Sequence, residues 1–363
     1  MADALSDVIA AVMPSDTGAM RRALGRQRNL TKPPGSLGRL EDVSVQLAGI
    51  FGSERPIIGG KAVIVVAGDH GVVAQGVTGY PQEVTAQMVL NFLSGGAAVS
   101  VMARRIGARQ IIVDAGVAAD LPEHPELRAV RIDSGTADIS EGPAMTREQA
   151  ERSVLAGFEI AVEAAEFGAD LIAAGEMGIG NTTASSAITA AFTGASPQET
   201  TGAGTGRNPE ELAHKAAIVQ RALDVNAPDS SDGLDVLAKV GGFEIGVLAG
   251  VALGTASMRR ALIVDGFISG AAMLIAQALC PTARDYMIAS HRSAERGHSI
   301  ALAHLSLLPL LELDMRLGEG SGAVLAMPVV EAAAACLSEM ATFGEAGVSD
   351  RDDNAVEAAI DSQ

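Results

Sequence analysis

The chain has 363 residues, 48% hydrophobic and only 3% aromatic, with 26 Lys+Arg against 44 Asp+Glu for a formal charge of −18. That apolar content supplies a large core and excludes disorder, while the acidic balance argues against nucleic acid or an anionic membrane as a general partner. An anionic ligand would have to be held by locally gathered positive groups, and the only lysines are Lys32, Lys61, Lys215 and Lys239.

The N-terminus carries Asp3 and Asp7 where a secretory signal would carry positive charge. Cys280 and Cys336 are the only cysteines and sit in apolar surroundings, so neither a disulfide framework nor a Cys-based metal site is indicated. These features predict a soluble, cytoplasmic protein. The first sixty residues read as polar helices broken at Thr31-Lys32-Pro33-Pro34-Gly35. Short β-branched runs then alternate with longer Ala/Leu-rich stretches. The runs are Ala62–Ala67, Gln110–Val113, Ala129–Ile132, Asp170–Ala174, Ala261–Val264 and Asp285–Ala289. Each ends in small, acidic or hydroxyl residues. Near-continuous apolar runs mark strands buried on both faces, and the intervening helices supply parallel crossovers.

The predicted fold is therefore α/β: an open, Rossmann-like, mostly parallel sheet of about six strands flanked by helices. The predicted organisation is an N-terminal helical segment (1–60), an α/β core (61–320) and a C-terminal helical segment (321–363). The two terminal segments would pack together as a small subdomain. In such sheets ligands bind beyond the carboxyl ends of the strands. Glycines 242, 246, 250 and 254 recur at four-residue spacing and predict a close-packing helix face. Gly266–Ala283, the longest uncharged apolar stretch, contains Pro281 and follows a strand directly, so it reads as a buried helix.

Several segments could carry chemistry. Gly175-Glu176-Met177-Gly178-Ile179-Gly180-Asn181-Thr182-Thr183 leads from a strand into a helix, where free N–H groups and the helix dipole suit an anion. Its plainer reading is a tight turn. Thr201–Arg207 is a second glycine-rich loop, better read on its own as a flexible surface loop, and it precedes the helix that holds Lys215. Leu317-Gly318-Glu319-Gly320 places a carboxylate between glycines, which suits either a helix-capping glutamate or a general base in a partly dry pocket. Asp69-His70 ends the first strand. The other histidines show no ligand spacing, so an Asp–His hydrogen bond fixing the loop is the better reading and no metal is expected. Tyr80 to Met88 could line a flat apolar ligand or simply pack a helix start.

Read together, the segments LTKPPGSLGRLE (30–41), AGDHGV (67–72), YPQEVTAQMV (80–89), NFLSGGAAV (91–99), GEMGIGNTT (175–183), TGAGTG (201–206), VDGFISGAA (264–272), ASHRSAERGH (289–298) and LDMRLGEGSGA (313–323) resemble one family. It is the nicotinate-nucleotide–dimethylbenzimidazole phosphoribosyltransferase family of cobalamin nucleotide-loop assembly. The resemblance runs in order from about residue 30 to 345. It implies transfer of phosphoribose from nicotinate mononucleotide to 5,6-dimethylbenzimidazole, giving α-ribazole 5′-phosphate and nicotinate, with no cofactor. It further implies Glu319 as catalytic base, with Glu176 facing the ribose or backing up the base. Gly178, Gly180, Asn181, Thr182 and Lys215 would hold the phosphate, with Ser290 and Ser293 close by. Tyr80, Gln87, Met177 and Leu317 would line the benzimidazole pocket.

Members of this family are homodimers with sites near the interface, so the KPPGSLGRLE segment would complete its own or its neighbour's site. Arg296 and Gly79 depart from the family pattern, the second beside the aromatic-base pocket. A non-catalytic nucleotide- or benzimidazole-binding protein of the same fold is the alternative. A dinucleotide-dependent oxidoreductase lacks its GxGxxG fingerprint here.

Overall fold

The computed structural model describes residues 2–202 and 208–349, so most of the TGAGTG segment lies outside the described residues. The larger of two compact units comprises residues Met1–Ser15 and Ile58–Val329. Its centre is a six-stranded sheet built from β1 (Gly60–Gly68), β2 (Arg109–Gly116), β3 (Leu127–Ala129), β4 (Ala169–Met177), β5 (Ala261–Val264) and β6 (Met287–Ala289). Every pairing is parallel and the order is β3-β2-β1-β4-β5-β6. The α/β reading therefore holds. Ala62–Ala67 and Ala261–Val264 are at most 1% exposed, which is why their sequences do not alternate.

Two strand boundaries differ from expectation. The third strand occupies 127–129, ahead of the apolar run at 129–132. Val130 and Ile132 still donate to the Asp114 and Ala115 carbonyls, so the chain follows β2 after its ladder ends. Residues Pro281–Tyr286 form a 3₁₀ turn, which leaves only Met287–Ala289 for β6. A further short pair, β7 (His291–Arg292) with β8 (Leu311–Glu312), extends the chain beyond β6.

The glycine spacing at 242–254 does what its pattern predicts. Helix Phe243–Ser257 packs on helix Arg147–Glu166 so closely that a Cβ at Gly250 would lie 1.9 Å from the Val154 carbonyl oxygen. A Cβ at Gly157 would lie 1.9 Å from that of Val247. The Gly266–Ala283 stretch contains helix Phe267–Leu279, buried throughout 267–276. Two other stretches, 84–106 and 321–339, are long and apolar enough to cross a membrane by length and composition. The first is two helices, Val84–Leu93 and Ala98–Ile106. The second is helix Ser321–Glu339.

The first fifteen residues belong to the larger unit and not to a helical subdomain spanning 1–60. Tyr286 Oη donates to the Met13 carbonyl at 2.8 Å and Ser15 Oγ to Asp285 at 3.1 Å, which tie this stretch to the core. The smaller unit comprises Asp16–Ile57 with the described residues from Val330 onward. Asp16 caps helix Thr17–Asn29 by accepting from the Gly18 and Ala19 amides. Buried Arg26 donates to the Leu337 and Met340 carbonyls, both at 2.7 Å, and so satisfies a helix C-terminus. Lys32 pairs with Glu41 at 2.7 Å, which anchors the KPPGSLGRLE segment within this unit.

The strand order reverses direction between β1 and β4. In a doubly wound sheet the crevice beyond the carboxyl ends of such a strand pair is where a ligand binds.

Candidate active site

A cavity of about 340 Å³ opens at that switch point. Its floor is the turn after β4, where Gly178-Ile179-Gly180 leads into helix Asn181–Thr193. Gly180 takes φ +97, and the Ile179 amide donates to Thr85 Oγ1 at 3.1 Å, so the turn is fixed from below. Lys215, 2% exposed on helix Pro209–Asn226, sends Nζ to Thr182 Oγ1 at 2.7 Å. A buried ammonium beside the first turn of a helix makes a site for an anion.

A second wall comes from the loop before helix Ser321–Glu339. Glu319 occupies the left-handed region at φ +64, between Gly318 at φ +86 and Gly320 at φ +89. A non-glycine residue rarely adopts this conformation, and three in succession turn the chain sharply. Glycine is required on both sides: a Cβ at Gly318 would lie 2.4 Å from Glu176 Oε1, and one at Gly320 would lie 3.0 Å from a Val63 methyl. Asp265, at the end of β5, accepts the Gly320 amide at 3.2 Å and the Ala323 amide at 2.8 Å, and this clamps the loop. The Glu319 amide donates to the Glu176 carbonyl, and its carboxylate accepts from the Val99 amide at 3.2 Å.

The carboxylates here are crowded and dry. Burial, reinforced by the charges of Asp265 and Glu244, pushes Glu176 up to about 8, despite the amide of Asn181 that hydrogen-bonds it. Burial pushes Asp265 to about 7 against the backbone amides it accepts. Glu319 is also raised, by burial first, with the Val99 amide opposing and Asp265 adding. At neutral pH Glu176 thus keeps its proton and can donate a hydrogen bond. Glu319 has fewer charged neighbours than Glu176, since Asp265 alone adds to its burial.

The cavity lining is mixed. Thr182, Lys215, Ser293 and the glycine turn supply polar groups. Tyr80, Val84, Met88, Met177, Phe267 and Leu317 supply apolar surface, with Tyr80 and Leu317 half-exposed.

Of the residues expected from the sequence, Tyr80, Glu176, Met177, Gly178, Gly180, Asn181, Thr182, Lys215, Ser293, Leu317 and Glu319 meet in this one cavity. Two do not. Gln87 is exposed on helix Val84–Leu93, and Met88, one residue and about 100° further round, is the side chain that reaches the cavity. Ser290 is fully buried behind the wall, where its Oγ meets the Asp265 carbonyl and the His291 ring.

His291, Glu295, Arg316 and the Gly266-Phe267-Ile268 turn line the cavity without having been singled out from the sequence. Their only signal was their place in the motif segments. The Asp69–His70 pairing is corrected. His70 Nε2 lies 2.6 Å from buried Glu244 Oε1, while Asp69 accepts the Ala118 amide. Burial alone would push His70 down, but the Glu244 carboxylate outweighs it and holds the ring above its ordinary value.

A family model described as Phosphoribosyltransferase matches residues 12–348. The nicotinate-nucleotide–dimethylbenzimidazole phosphoribosyltransferase of Roseiflexus sp. (strain RS-1) is 57% identical over 350 residues, covering 96% of this chain and 99% of its own. The protein of the same name from Deinococcus radiodurans is 51% identical over 351 residues, covering 95% of this chain and 96% of its own. The crystal structure of the enzyme of that name from Thermus thermophilus superposes with a TM-score of 0.88 at 48% identity, covering 93% of this chain and all of that one. Sequence and fold agree: the chain belongs to the nicotinate-nucleotide–dimethylbenzimidazole phosphoribosyltransferase family.

Proposed function

We propose that the protein transfers the phosphoribosyl group of nicotinate mononucleotide to 5,6-dimethylbenzimidazole, releasing nicotinate and α-ribazole 5′-phosphate, with Glu319 as the general base. The observation that supports the reading is that Glu319 lines the same cavity as apolar side chains, Lys215 and the Gly178–Thr182 turn.

The chemistry needs one base. A ring nitrogen of the benzimidazole attacks the anomeric carbon from the face opposite nicotinate, so configuration inverts. As that bond forms, positive charge spreads over the imidazole ring and the second nitrogen becomes acidic. Glu319 takes this proton, and before transfer its charge stabilises the developing cation. The C–N bond to nicotinate breaks with its electrons moving to the pyridinium nitrogen. The leaving group therefore departs neutral at that atom and needs no general acid.

The phosphate sits on the Gly178–Thr182 turn, where backbone amides and Lys215 replace its water, with Ser293 beside it. Protonated Glu176 orients the ribose. Tyr80, Met88, Met177 and Leu317 hold the flat base. In this reading the enzyme is a cytoplasmic homodimer that works without metal or cofactor, and the half-exposed Tyr80 and Leu317 are consistent with further cover at the cavity mouth.

The test is direct. Purified protein incubated with nicotinate mononucleotide and dimethylbenzimidazole should release nicotinate and form the ribazole phosphate, both measured by chromatography. Tight binding of both substrates with no nicotinate released would instead identify a non-catalytic binding protein.

A further inference from the structure

His291 is 2% exposed, opens β7 and lines the cavity, yet no step above uses it. Its Nδ1 lies 3.0 Å from Ser290 Oγ. Ser290 has a single hydroxyl proton, and the Asp265 carbonyl oxygen, 3.2 Å from Oγ, can only accept. The hydroxyl therefore donates to Asp265 and receives a hydrogen bond from Nδ1–H of His291. The Asp265 carboxylate, 4.0 Å from Nδ1, favours a proton on the same nitrogen. Burial holds the ring below its ordinary pKa, so it is neutral.

A neutral imidazole protonated on Nδ1 carries a lone pair on Nε2. Among the described residues none hydrogen-bonds that atom. Two glycines set the ring's position. A Cβ at Gly322 would lie 2.0 Å from Nδ1 and would displace the ring. At Gly266, which lines the cavity together with His291, a Cβ would lie 3.7 Å from the His291 Cε1 and 3.9 Å from Nε2, so this edge of the ring is the one beside the Gly266 turn.

An acceptor needs a donor. Phosphate oxygens and the nicotinate carboxylate are acceptors, and would be repelled by the lone pair. The benzimidazole proton goes to Glu319. Ribose hydroxyls are the donors that remain. We propose that Nε2 of His291 accepts a hydrogen bond from a ribose hydroxyl of the bound mononucleotide, and thereby selects ribonucleotides over deoxyribonucleotides. The inference rests on the nucleotide reading above.

The experiment compares the native enzyme with His291→Phe and His291→Gln. Substrates are nicotinate mononucleotide and its 2′-deoxy and 3′-deoxy forms at saturating benzimidazole, with nicotinate release as the readout. The native enzyme should use one deoxy form with kcat/KM about tenfold or more below the ribonucleotide. His291→Phe should lose a similar factor on the ribonucleotide and treat the two alike. His291→Gln, whose amide oxygen can accept, should recover part of the discrimination, and KM for the benzimidazole should stay unchanged throughout. Discrimination preserved in His291→Phe would overturn the proposal. So would an equal loss on all three nucleotides, which a phosphate contact or a disturbed fold would give. If the native enzyme releases no nicotinate, the parent reading fails instead. Equilibrium dialysis of the same three nucleotides against native and His291→Phe protein then decides the ribose contact.

Discussion

The backbone amide of Glu319 donates to the backbone carbonyl of Glu176 across 3.2 Å, so the two carboxylates that face the cavity are fixed to one another through main chain and not through their side chains. Each can therefore be altered chemically without unlinking the walls they stand on.

Glu319→Gln should leave KM for nicotinate mononucleotide within about twofold of native while lowering kcat by roughly 10²–10⁴-fold, the usual worth of a positioned base. Burial raises the Glu319 pKa, and only its ionised form accepts a proton, so the native rate should fall on acidification with a limb above the ordinary carboxylate range near 4.5. Steady-state kinetics across pH checks both. A Glu319→Gln enzyme with the native pH profile and rate would remove Glu319 from the chemistry.

Glu176 should cost stability as pH rises. Its folded pKa of about 8 lies above the 4.5 of an exposed glutamate. Between those values the folded state holds a proton that the unfolded state has released. Stability is therefore fully present below pH 4.5 and is lost as pH climbs toward 8. Glu176→Gln mimics the protonated acid. It should melt close to native at about pH 5 and several degrees above native at about pH 8, measured by calorimetry. Identical melting differences at the two pH values would contradict a buried, protonated Glu176.

Lys215→Met keeps the volume of a buried side chain and removes its charge. It should raise KM for the mononucleotide by about 10- to 100-fold, the range for a charge-assisted contact, and leave benzimidazole KM unchanged. A matching rise for both substrates would point to a collapsed turn at Gly178–Thr182.

Gly175→Ala tests the contact behind the base. A Cβ there would lie 2.2 Å from the Glu319 carbonyl oxygen, so the loop must retreat. The variant should lose about tenfold or more in kcat and melt lower, with overpacking costing on the order of 1–3 kcal/mol. A fully active Gly175→Ala enzyme would show that the Glu319 turn has more freedom than its left-handed geometry implies.

Much of this architecture was legible because burial on two faces writes unbroken apolar runs, and all the named runs but those at 129–132 and 285–289 coincide with strands in place. The shift at β3 arose because an edge segment can follow its neighbour through isolated hydrogen bonds without extending the ladder. At the site, Glu319, Glu176 and the glycine turn stood out because glycine on either side of a functional group is an unusual use of composition. Gln87, named from the resemblance, lies one helical step from Met88, and in this structure Met88 is the side chain that lines the cavity. The His70–Glu244 pair was invisible, because nothing local to either residue announces a partner 174 positions away. His291 was hidden for the opposite reason. It stood in plain view within a motif, but its role depends on which nitrogen holds the proton, and that follows only from what Ser290 touches.

The central pairing of β1 with β4 sets Val63 beside Ala173, and the walls of the cavity are added from residues as late as Glu319. Such non-local closure is slow to form. On a ribosome, a chain stopped between Ser293 and Glu319 would hold Thr182, Lys215 and Ser293 but not the carboxylate proposed as the base. In the proposed mechanism the proton acceptor is thus the last part of the site to be synthesised, on a loop that follows all six strands of the sheet.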